Sequence, residues 1–184
     1  MPMNRAAAAL VCALLVLSGC GAPAGSTGPA GTAPTGMPAA SSAAPVPARS
    51  GVPQTLNFTA TTLDGAAFDG ATLAGRPVVL WFWAPWCPTC ARQARGVKAA
   101  TQQLAGRVAV VGVGGLDEPA AMRRFVGEWK LETVPQLADE PGVLWKRFGV
   151  TAQSTFVFLD ASGAVVFKGV LDGDDVAGRA GGLG

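Results

Sequence analysis

Val78-Val79-Leu80-Trp81-Phe82-Trp83 runs directly into Ala84-Pro85-Trp86-Cys87-Pro88-Thr89-Cys90, and this join decides the fold. The first six residues are apolar without interruption, β-branched and aromatic. That is the pattern of a central strand buried on both faces. Residues 87–104 read as a helix, with Pro88 tolerated in its first turn. The two cysteines therefore sit three residues apart at a helix start, just beyond a core strand. Unpaired backbone N–H groups and the positive end of the helix dipole face the first thiol there. They stabilise its thiolate, which is the attacking species in disulfide exchange. The second thiol lies one turn inside, placed to displace a partner held on the first. Cys87 is the expected nucleophile and Cys90 the expected resolving thiol.

Working outward, strand-like and helix-like segments alternate. Residues 56–59 and 67–68 read as short strands joined by a turn at Asp64-Gly65. Residues 107–113 contain a second buried strand. Asp117-Glu118-Pro119 signals a helix start, and that helix is expected to reach about residue 130. A shorter helix follows Pro141 and ends near Phe148-Gly149. Residues 155–159 form a third core strand, 160–163 a hairpin turn and 164–168 its partner strand. Val134-Pro135-Gln136-Leu137 leads into Ala138-Asp139-Glu140-Pro141, which reads as no core strand. The tail from Asp172 is rich in Gly and Asp, so any terminal helix there is expected to be weak. The order gives an α/β fold: a central mixed sheet flanked by helices, with an N-terminal β-hairpin extension.

Before this domain lie two segments of different texture. Arg5 precedes an apolar run over residues 6–17, then Leu17-Ser18-Gly19-Cys20. The layout is that of an export signal, and the run is too short to span a bilayer. Residues 21–50 are almost entirely Gly, Ala, Pro, Ser and Thr, with no aromatic residue. They cannot bury enough apolar surface to offset ordering entropy, and read as a tether with a span of about 30 Å. The expected division is 1–19 signal peptide, 20–51 anchor and linker, and 52–184 folded domain.

Composition narrows the chemistry. The 184 residues carry a net charge of +2, too small to argue for nucleic acid. There is no histidine, which removes the commonest general base and metal ligand. Cys12 and Cys20 belong to the export segment, leaving two thiols in the domain. A structural zinc site needs about four N or S ligands. An inert disulfide across so short a loop constrains the unfolded chain little. A C-x-x-C beside a βαβ pattern is instead a redox signal. The expectation is an enzyme with a redox-active Cys87–Cys90 pair and neither cofactor nor metal.

Phe82-Trp83-Ala84-Pro85-Trp86-Cys87-Pro88-Thr89-Cys90 resembles the active-site stretch of thioredoxin-like proteins. The supporting residues are Ala60-Thr61-Thr62-Leu63-Asp64-Gly65, Leu73-Ala74-Gly75-Arg76-Pro77, Phe148-Gly149-Val150 and Thr155-Phe156-Val157-Phe158-Leu159-Asp160. With them the wider pattern resembles the extracytoplasmic TlpA and ResA type over residues 56–170. The resemblance implies a thioredoxin-like fold, extracytoplasmic thiol–disulfide exchange, and exported protein thiols or disulfides as partners. It allows a membrane electron-transfer partner and leaves open whether the dithiol oxidises or reduces. Leu17-Ser18-Gly19-Cys20 resembles the lipobox of bacterial lipoproteins, which implies lipidation of Cys20 and anchoring to the outer face of the cytoplasmic membrane. A monomer is expected.

Two positions depart from the family. Thioredoxin carries a buried acid six residues before its first cysteine, where this chain has Trp81. A cis-proline usually precedes the third core strand, where this chain has Ser154. Without proline the Gln153–Ser154 bond is expected to be trans, in a loop facing Cys87. Trp86, Pro88, Thr89 and Ser154 are thus the expected active-site surround. Trp86 is the candidate shield, while Arg92 and Arg95 fit a solvated helix face. The alternatives are a thiol peroxidase of the same fold and a non-catalytic binding lipoprotein. The peroxidase needs Thr or Ser three residues before its cysteine, and Ala84 stands there. A copper chaperone needs a distal histidine.

Overall fold

A computed structural model describes residues 49–183. The expected signal peptide, the lipidation site Cys20 and nearly all of the linker lie outside the described residues. Seven strands form one sheet: β1 (Thr59–Thr62), β2 (Ala67–Asp69), β3 (Val78–Trp83), β4 (Ala109–Gly114), β5 (Gln136–Ala138), β6 (Thr155–Leu159) and β7 (Val165–Val170). The helices are α1 (Pro88–Gln103), α2 (Pro119–Glu128), α3 (Val143–Arg147) and α4 (Asp175–Gly181). Across the sheet the order is β2-β1-β5-β4-β3-β6-β7. β3, β4 and β5 run parallel, and the remaining pairings are antiparallel.

β3 and β4 lie in the middle and are buried at every position. This is why their sequences show no polar alternation. Val79, Trp81 and Trp83 face one core with Ala94, Val97 and Ala100 of α1, Met122 and Phe125 of α2, and Val176 of α4. Val78, Leu80 and Phe82 face a second core with Leu56, Phe58, Leu144 and Trp145. Stacked rings tie the first core, with Trp83 and Phe125 centroids 4.6 Å apart. Phe82 meets Trp145 edge-on at 5.7 Å in the second.

Three expectations are corrected. Residues 54–56 form a 3₁₀ turn rather than the start of a strand, and β1 begins at Thr59. Leu56 and Phe58 are both drawn into the second core beside Phe148, which bends the chain there. Residues 136–138 are a strand, β5, paired with both β4 and β1. Leu137 is fully buried, and the Gln136 side chain lies over Gly112, where a Cβ would stand 1.9 Å from its Oε1. The tail is helical: Val176 and Ala180 of α4 are fully buried. α4 reaches α1 closely because Gly96 has no side chain; a Cβ there would stand 2.1 Å from the Gly173 carbonyl carbon.

β7 forms one margin of the sheet and pairs only with β6. Its Val165, Val166 and Val170 are exposed. Lys168 turns toward the Phe148 and Gly149 carbonyls.

Candidate active site

β3 delivers the chain to the turn 84–86, and Cys87 is the N-cap of α1 with Pro88 in the first turn. Cys87 adopts an extended backbone (φ −87°, ψ 114°), as N-cap residues do. Its Sγ accepts the backbone N–H of Cys90 at 3.2 Å, in the place of the usual capping oxygen. Both cysteines are free thiols. Cys87 retains 5% exposure, while Cys90 has none. Burial pushes the Cys90 thiol up to about 12, and the bond to Cys87 adds to this. Backbone hydrogen bonds from Ala84 and Ser154 pull the other way. At neutral pH Cys90 is therefore a protonated thiol.

The other expected residues divide. Trp86 is 54% exposed, and its indole N–H donates to the Leu116 carbonyl at 3.2 Å. It stands beside the cysteines as an open apolar surface. Leu116 is itself exposed and has φ +60°, a left-handed conformation rare for leucine. Pro88 is exposed, and Thr89 Oγ1 accepts a bond from Arg92 at 2.9 Å. Arg92 and Arg95 lie on the solvent side of α1. Ser154 is buried in the turn before β6, with φ +64°. No peptide bond among the described residues is cis, so the Gln153–Ser154 bond is trans. Ser154 meets Cys90 and Gln93 through its backbone.

Gln93 is the residue that sequence reading missed. It is 1% exposed and accepts the Trp81 indole N–H on Oε1 at 2.8 Å. Its Nε2 donates to the carbonyls of Ser154 at 3.2 Å and Leu171 at 2.7 Å. The signal was available. Cys90, Ala94, Val97 and Ala100 mark the core-facing stripe of α1, and Gln93 falls on it as a polar intruder. Among the described residues no group of three or more His, Cys, Asp or Glu side chains is placed to hold a metal ion.

The sheet order and the paired thiols beyond its central strand define a thioredoxin-like oxidoreductase. The chain belongs to the Redoxin family, whose model matches residues 24–179. It is 42% identical over 134 residues to the soluble secreted antigen MPT53 of Mycobacterium tuberculosis, covering 70% of this chain and 75% of that protein. A structure of MTB dsbF, in mixed oxidized and reduced forms, is 44% identical with a TM-score of 0.68. It is matched over 72% of this chain and 99% of that one. A secreted M. tuberculosis disulfide oxidoreductase, described as homologous to E. coli DsbE, is 39% identical with a TM-score of 0.65. The match covers 70% of this chain and 98% of that one.

Proposed function

We propose that the chain is an extracytoplasmic thiol–disulfide exchange enzyme of the TlpA/ResA type, acting on exported protein thiols or disulfides through Cys87 and Cys90. The observation that carries this is the asymmetry of the two thiols. Cys87 caps α1 with its sulfur on a backbone N–H, which suits a thiolate. Cys90 is sealed one turn inside and held protonated. Cys87 attacks a substrate disulfide, forms a mixed disulfide and expels one substrate sulfur as thiolate. Cys90 then loses its proton and attacks Cys87 Sγ, closing the Cys87–Cys90 disulfide and releasing the second substrate sulfur. Run backward, the same steps oxidise a substrate dithiol. The measured potential of the pair against its partners decides which way electrons flow. The exposed indole of Trp86 offers a partner peptide apolar contact next to Cys87.

Export is supported by the apolar run ahead of Cys20 and by the secreted relatives. Lipidation of Cys20 is supported by Leu17-Ser18-Gly19-Cys20. Single substitutions test the thiol roles. Cys87→Ser abolishes turnover of a peptide disulfide. Cys90→Ser accumulates a mixed disulfide on Cys87, read by intact mass. Retained turnover in Cys87→Ser overturns the assignment.

A further inference from the structure

We infer that Gln93 is a positioning residue whose amide fixes the loop against Cys90 and so governs how Cys90 resolves a mixed disulfide on Cys87. The inference rests on the dithiol reading above. A buried amide is costly unless its polar atoms are paired, and an apolar residue would suit this stripe of α1 better. Gln93 nevertheless uses both faces of its amide: one acceptor for Trp81 and two donors for Ser154 and Leu171. Indole can only donate, so Oε1 must face Trp81 and Nε2 must face the carbonyls. Thr155 and Val170 are paired across β6 and β7, so the two carbonyls flank one end of that hairpin. The amide therefore bolts the hairpin end to α1, one turn beyond Cys90.

Both departures from the family pattern meet at this amide. Trp81 fills the place of the buried acid and holds Gln93. Ser154 fills the place of the proline and is held by it. Capture of its carbonyl offsets the left-handed backbone of Ser154, a conformation unfavourable for a non-glycine residue. With the carbonyl held by Gln93, the backbone of Ser154 meets the Cys90 sulfur. Among the described residues Cys87 is the one ionisable group acting on the Cys90 thiol. Backbone amides are then what stabilises charge on Cys90 as its proton passes to the departing substrate sulfur.

Rapid mixing of the reduced protein with an excess of a chromogenic aryl disulfide separates the steps. Cys87 attack breaks the aryl disulfide and releases one aryl thiolate. Cys90 attack on the Cys87 mixed disulfide forms Cys87–Cys90 and releases the second. In Gln93→Met the second release is expected to slow about tenfold at neutral pH, with its rise displaced to higher pH. The first release stays within about twofold. Trp81→Phe keeps an aromatic, though smaller, side chain, removes the indole N–H, and slows the second release in the same direction. Unchanged second release in the folded variants, or equal slowing of both releases, overturns the inference. A second release that persists in Cys90→Ser overturns the dithiol reading itself.

Discussion

Ser154 shows what one residue can decide. Proline is the family's usual occupant, yet the φ of +64° observed here is closed to a proline ring, which fixes φ near −65°. Glycine suits this backbone without steric cost. Ser154→Gly is expected to raise the urea midpoint, by up to about 1 kcal/mol in stability. Ser154→Pro is expected to lose more than about 1 kcal/mol, because the loop must be rebuilt around it. The reverse order would show that the left-handed backbone does not persist in solution. Cys90 makes a second prediction at this scale. Its thiol titrates at about 12 in the folded protein, against an ordinary value of 9.0. The raised value favours the protonated thiol in the folded state, so the unfolded chain gives up its proton first. Stability from this group is full below about pH 9 and drains away as pH climbs toward 12. Urea unfolding of the reduced protein should weaken across that range more than that of the oxidised protein, which has no Cys90 thiol to titrate. Parallel curves would contradict the burial argument.

Elements were legible where apolar runs were long. β3 and β6 are bounded as the sequence suggested, because six and four buried apolar residues in a row leave little choice. The cysteines at the head of α1 were legible for the same reason: strand, turn and Pro88 fix the frame. β5 was not, since three residues between Pro135 and Asp139 carry no period to read. It is a strand only because β1 and β4 both offer it partners, a tertiary cause. Asp139, just after it, hid a structural role. It is buried and accepts the N–H groups of Val143 and Trp145 at 2.8 and 2.9 Å, anchoring the start of α3. α4 was underrated on propensity because its stability comes from docking on α1. That docking makes a prediction. Gly96→Ala places a methyl against backbone rather than a flexible side chain. It should push α4 away and cost about 1–3 kcal/mol in urea unfolding. Unchanged stability would mean that α4 is loosely held.

At the scale of the whole molecule, the expected division is address, tether and domain, and the structure describes residues 49–183. Among the described residues no helix is long and apolar enough to cross a membrane. The proposed attachment is through Cys20, which lies outside those residues. Cys20→Ala is expected to move the protein from the membrane fraction to the soluble exported fraction, with dithiol activity retained. Persistent acyl-dependent membrane association of Cys20→Ala would exclude Cys20 as the anchor. Tethering would crowd copies on one surface, and this gives the margin at β7 another significance. An unpaired strand edge is a template for a strand from a neighbouring molecule, and an exposed apolar, β-branched edge favours such pairing. Val165, Val166 and Val170 supply that adhesion, and a net charge of +2 repels copies only weakly. Lys168 interrupts the run and Arg179 lies over the Phe167 ring, so two positive side chains stand against fibrous self-association at this margin.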